Sequence, residues 1–214
     1  MKLCLKTAAI VWLWAAPCFA HRLDEYLQGA IVSVEKNRLQ AQVMLTPGVA
    51  VFPAVFADID TNRDGSISPE EQRAYALRFL REVSLALDGH ELNPRLLAFQ
   101  FPDTGEMKEG RGEIQLEFDA DLPPGGSNRK LTFENHHESR ISVYQVNCLV
   151  PRDSDIQIVA QKRNFTQSHY ELDYVQREFG VNWLPSAWLG ASKWLGTGAL
   201  ILFGWLTLLR RQRA

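Results

Sequence analysis

The sequence predicts a mainly β fold: an antiparallel, sandwich-like or open-barrel domain with one inserted helix–loop–helix, followed by a C-terminal transmembrane helix. Three observations carry this. Short runs of alternating apolar and polar residues, separated by turn-rich pieces, occupy most of the chain between 27 and 175, as half-buried antiparallel strands do. One window, 49–84, shows apolar residues at helical spacing instead. Finally, 194–209 carries no charge and is closed by Arg210, Arg211 and Arg213, the pattern of a membrane span with a cytoplasmic basic stop.

In chain order, the first element is a secretory signal at 1–20. Lys2 and Lys6 open it, an apolar stretch follows at 7–16, and Cys18 and Ala20 stand at positions −3 and −1; this basic, apolar and small-residue order predicts cleavage after Ala20 and His21 as the mature N-terminus. The stretch is shorter than the roughly 20 residues of a span, which argues against an uncleaved anchor. Pro17 ahead of Cys18 argues against a lipid-modified cysteine.

An exported β-rich domain is expected over 21–179. Its strand candidates are 27–35 and 38–45, joined by Lys36-Asn37 as a two-residue turn, then 85–87, 96–101, 113–119, 130–134, 141–150, 155–161 and 168–175. Asp88-Gly89, 123–128 and Pro151-Arg152-Asp153 are turn pieces between them. Residues 180–192 read as a linker in which Trp183 and Trp188, with Trp194 beyond, suit an interfacial belt. The span is placed at 193–209 and a basic cytoplasmic tail at 210–214. Sixteen residues of helix from Trp194 reach about 24 Å against a hydrocarbon core of about 30 Å; extension back to Ala191, with Lys193 snorkelling, closes the gap. No Leu-Pro-x-Thr-Gly or Pro-Glu-Pro sorting signature precedes it.

Setting aside Lys2, Lys6, Arg210, Arg211 and Arg213 leaves 18 basic residues against 25 acidic, a formal charge of −7 for the exported part. Nucleic acid is therefore excluded as a partner, while cations are favoured. Cys4 and Cys18 leave with the signal, so Cys148 has no internal disulfide partner; its alternating surroundings predict a small buried hydrophobe.

Within the insert, Asp60-Thr61-Asn62-Arg63-Asp64-Gly65-Ser66-Ile67-Ser68-Pro69-Glu70-Glu71 spaces oxygen donors as a hard cation needs them. Asp60, Asn62 and Asp64 stand at positions 1, 3 and 5. Ser66 offers a backbone carbonyl at 7, Ser68 a water-holding hydroxyl at 9, and Glu71 a bidentate carboxylate at 12. Gly65 occupies position 6, where the chain turns sharply. Phe52, Val55, Phe56 and Ile59 lie on one helical face before the loop, and Tyr75, Phe79, Leu80 and Val83 on one after it.

In loop and flanking helices alike the segment resembles the EF-hand calcium-binding family. That resemblance implies Ca²⁺ held by Asp60, Asn62, Asp64, Ser66, Ser68 and Glu71. Two departures matter. Pro53 cuts the incoming helix to about two turns, and no second loop of this form occurs, which implies a dissociation constant of roughly 10⁻⁴ to 10⁻³ M. A metal-free reading also exists, since Ser68, Pro69 and Glu71 make a capping box; it does not explain the three alternate donors ahead of Gly65.

His21 at a free amine suggests an alternative, an exported copper-binding or metal-delivery accessory protein, with His90, His136, His137 or His169 as third nitrogen. Nothing in the spacing selects among them, and His136 and His137 should face opposite sides. No Gly-x-Ser-x-Gly elbow, phosphate loop or His-Glu-x-x-His is present, and Asp24, Glu25 and Glu134 read as isolated surface acids, so no enzyme is expected. The segments His21-Arg22-Leu23-Asp24-Glu25-Tyr26-Leu27 and Leu85-Ala86-Leu87-Asp88-Gly89 are similar to exported segments ahead of hydrogenase and urease accessory (HupE/UreJ-type) metal permeases, although one span here replaces a permease bundle. The expected function is a membrane-anchored, calcium-binding exported module with a structural or interaction role toward an unknown protein partner.

Overall fold

A computed structural model describes residues 24–177 of the protein; the expected signal, His21, the linker, the span and the tail lie outside the described residues. In order the elements are β1 (Tyr26–Val34), β2 (Arg38–Pro47), α1 (Phe52–Ile59), α2 (Pro69–Arg81), β3 (Val83–Leu87), β4 (His90–Glu91), β5 (Arg95–Gln100), α3 (Thr104–Lys108), β6 (Ile114–Asp121), β7 (Asn128–Asn135), β8 (Ser142–Cys148), β9 (Ile156–Arg163) and β10 (His169–Gln176). The strands form two five-stranded sheets, ordered β5-β6-β2-β1-β8 and β4-β3-β7-β10-β9, and no closed barrel.

Local chemistry explains most of these elements. In β2 every second residue is buried, Leu39, Ala41, Val43 and Leu45 among them, so the period of two becomes one apolar face. The β1–β2 register pairs Val34 with Leu39, and Glu35 N–H donates to the Arg38 carbonyl at 2.9 Å, which closes the two-residue turn at Lys36-Asn37. Between β3 and β4 both turn residues, Asp88 (φ 53°) and Gly89 (φ 82°), are left-handed, as a two-residue hairpin that follows strand twist requires. Inner faces of both sheets and both longer helices share one core, with Val43 and Phe118 from the first sheet, Leu131 and Phe133 from the second, and Ile59 and Phe79 from the helices.

Three features depart from the sequence reading. β8 runs parallel to β1, register Tyr26 with Ser142, because β7, which precedes it in sequence, lies in the other sheet; β8 therefore arrives by a crossing and not by a hairpin. Val83, grouped with the helical face, is instead the first residue of β3 and is buried there. β4 and α3 carry no signal in the sequence, since two and five residues are too few to show a period.

Where α2 meets the sheets, a polar group sits inside the apolar core. His137 is fully buried. Its Nδ1 lies 2.5 Å from Glu82 Oε2, its Nε2 2.8 Å from the Tyr75 hydroxyl, and that hydroxyl 2.6 Å from Tyr26 Oη. A carboxylate only accepts, so the network assigns the Nδ1–H tautomer, with Tyr75 donating to Nε2 and Tyr26 donating to Tyr75. The His137 carbonyl accepts from Gln28 Nε2 at 2.9 Å and from the Tyr144 hydroxyl at 2.9 Å. Burial holds the imidazole below its ordinary pKa, opposed by Glu82. One residue thus ties α2, β1, β8 and the end of β7 together, and it carries the helix on which Glu71 rides.

Candidate functional site

The helix–loop–helix is built from its flanks inward. α1 has eight residues with Pro53 in its first turn, which agrees with the two turns expected, and it buries Phe52, Val55 and Ile59 while Phe56 packs at the core margin. α2 starts at a full capping box: the Ser68 side chain accepts from Glu71 N–H, and the Glu71 side chain accepts from Ser68 N–H. Its buried face carries Glu71, Tyr75, Ala76, Phe79 and Leu80. An ion pair from Arg78 to Asp58 joins the two helices.

Between them, residues 60–68 are held by side-chain to backbone bonds. Asp60, 4% exposed, accepts from Asp64 N–H at 3.2 Å on Oδ1 and from Gly65 N–H at 2.9 Å on Oδ2. Asn62 Oδ1 accepts from Asp64 N–H at 2.8 Å, and Asp64 Oδ1 from Ser66 N–H at 2.8 Å. Asx turns of this kind fold the donor side chains back over their own loop. Gly65 has φ 85°, in the region that a Cβ disfavours by about 1–2 kcal/mol. Gly65→Ala is accordingly expected to lower stability in urea by about 1 kcal/mol. Gly126→Ala, where nothing stands within 4 Å, should stay within about 0.5 kcal/mol of wild type.

Glu71 does more than the spacing suggested. Oε1 accepts from Thr61 N–H at 2.8 Å, Thr61 Oγ1 at 3.0 Å and Asn62 N–H at 3.2 Å. Oε2 accepts from Ser68 N–H and Ser68 Oγ, both at 3.0 Å. The carboxylate therefore clasps the two ends of the loop, and these bonds, led by the Ser68 amide, pull its pKa down to about 2. Asp64 is also held below the usual carboxylate range, first by the Ser66 hydroxyl and then by the Ser66 amide.

Of the six residues singled out, Asp60, Asn62, Asp64 and Glu71 are linked by these bonds. Ser66 joins through its amide and hydroxyl to Asp64, and Ser68 through the cap. Among the described residues, no three His, Cys, Asp or Glu side chains stand as a ready-made metal group. Both Glu71 oxygens face amides and hydroxyls. The donor set still fits a hard cation in two respects: its side-chain donors are all oxygens, and among the described residues none of Asp60, Asp64 and Glu71 has a basic side chain within ion-pair distance. A carboxylate kept 4% exposed without a basic partner is electrostatically costly unless a cation or several N–H groups answer it.

Other sequence expectations resolve similarly. His136 is exposed and His137 buried, so they do face opposite ways, though both lie just past the end of β7. His90 is exposed on β4, and His21 lies outside the described residues. Cys148 is partly buried against the core, and burial pushes its thiol up to about 11. Glu134 is not an isolated acid: it lies between two imidazoles, a grouping that depends on the pairing of β7 with β10. No protein-family model matches the chain, and no curated protein matches it either.

Proposed function

We propose that the protein is an exported, membrane-anchored module that binds one calcium ion through the Asp60–Glu71 loop, in a structural or interaction role. The observation that carries this is the loop itself: Asp60, Asp64 and Glu71 stand without a basic partner among the described residues, in a turn organised by Asx bonds and Gly65 between two helices. Asp60, Asn62, Asp64, Glu71, the Ser66 carbonyl and a Ser68-held water supply the oxygen ligands that calcium takes. The ion must compete with the Thr61 and Asn62 amides for Glu71, which supports weak binding suited to a compartment outside the cytoplasm.

Export and anchoring rest on segments 1–20 and 193–209, read from sequence. Among the described residues no helix is long and apolar enough to cross a membrane. An ion that fixes the α1–α2 insert would set the surface that the insert presents to a protein partner.

The test is thermal unfolding of the full-length protein in Ca²⁺ or Mg²⁺. Calcium at a hundredfold excess over its dissociation constant is expected to stabilise by about 2.7 kcal/mol, raising Tm by several degrees. Magnesium, which demands tighter octahedral geometry, should raise it less. Equal Tm values with and without Ca²⁺ at that hundredfold excess, about 10–100 mM for the expected dissociation constant, would remove the calcium reading.

A further inference from the structure

On the outer face of the second sheet, Glu134 of β7 lies directly across from His169 of β10. Glu134 Oε1 is 2.9 Å from His169 Nδ1, and Oε2 is 3.1 Å from His136 Nε2. The far nitrogen of His169, Nε2, faces Glu171 Oε1 at 3.5 Å. We propose that Glu134, His136 and His169 bind a divalent transition metal of the zinc class, with Glu171 orienting His169.

Charge distinguishes Glu134 from its neighbours on this face. Lys130 lies 3.2 Å from Glu171, and Lys162 lies 3.1 Å from Asp173. By contrast, the ion-pair partners of Glu134 among the described residues are the two imidazoles alone. Among the described residues no lysine or arginine stands within ion-pair distance of Glu134, so the position favours a cation. Imidazole nitrogen suits zinc, copper and nickel, whereas calcium takes oxygen; the site is thus chemically distinct from the Asp60–Glu71 loop and does not rest on it.

The tautomers permit the change. With its proton on Nε2, facing Glu171, His169 turns the Nδ1 lone pair toward Glu134, which is the carboxylate–histidine–metal arrangement of many zinc sites. His136 can likewise carry its proton on Nδ1 and offer Nε2. Among the described residues no group of three such side chains stands ready to hold a metal ion; a zinc ion ~2.0–2.1 Å from each donor would replace the hydrogen bonds that the two nitrogens now make to the carboxylate. His136 is 62% and His169 37% exposed, which leaves both side chains room to rotate toward an ion. Three protein ligands leave the fourth tetrahedral position to water.

Calorimetric titration of full-length protein with Zn²⁺, with Ca²⁺ in excess throughout, tests this. Wild type should bind one Zn²⁺ that His136→Ala and His169→Ala each weaken at least tenfold. Glu171→Gln should weaken it about tenfold, and His90→Ala should leave it unchanged. His90 and His136 are exposed and His169 and Glu171 half-buried; unaltered circular dichroism separates lost ligation from lost folding. Absence of Zn²⁺ heat would overturn the proposal, as would Zn²⁺ binding that survives His136→Ala and His169→Ala undiminished and so lies elsewhere on the chain.

Discussion

His137→Ala is expected to be among the most damaging single changes in the described domain, lowering stability by about 3–5 kcal/mol, the range for removing a fully buried ring. Two costs add. The fully buried imidazole packs edge-on to Tyr75 and Phe79 at ring-centre distances of 5.3 and 5.2 Å, so its removal leaves a cavity. The Tyr75 hydroxyl, in a buried hydrogen bond, then loses its acceptor, and the cost of leaving a buried group unpaired places the change at the upper end of that range. His136→Ala, one residue away but exposed, should change stability by less than about 0.5 kcal/mol. Urea unfolding of the two variants side by side separates burial from residue type.

The same residue sets a pH dependence. Because burial holds the folded-state pKa of His137 below its ordinary value, the unfolded chain takes up a proton first as pH falls through about 6.5. Stability from this group is therefore complete above that pH and declines on acidification, until the folded pKa is also passed. His137→Ala should flatten that slope between about pH 7 and 5. A slope unchanged by the substitution would show that other groups carry it.

Glu71→Gln is the second large effect, and it falls on calcium and much less on folding. A glutamine at the third helical position still completes a capping box with Ser68, so α2 keeps its start. What disappears is the charge of the single side chain able to offer two oxygens to the ion from position 12, and affinity should fall at least tenfold, about 1.4 kcal/mol. The variant also loses the charge-assisted bonds to the Thr61 and Asn62 amides, which loosens the loop's entry.

Local signals were legible in the sequence and distant ones were not. The Lys36-Asn37 turn, the alternation of β2, the Pro53-limited α1 and the Ser68–Glu71 cap each depend on residues a few positions apart, and all appear where expected. The parallel β1–β8 pair joins residues more than 100 positions apart, and no periodicity encodes a partner. Nothing in the spacing sets His137 apart from the other histidines, because its burial is decided by α2, β1 and Glu82 together. Glu134 looked isolated for the same reason, since His169 reaches it only through strand pairing. At the loop, spacing identified the oxygen donors, but not the grip of Glu71 on Thr61 and Asn62, which is a matter of backbone path.

The most direct measurement is calorimetric titration of Ca²⁺ into the full-length protein and its Glu71→Gln variant. Wild type should bind one Ca²⁺ with a dissociation constant of roughly 10⁻⁴ to 10⁻³ M, and the variant at least tenfold more weakly. No heat in either protein, or equal affinity in both, would contradict calcium binding by the Asp60–Glu71 loop.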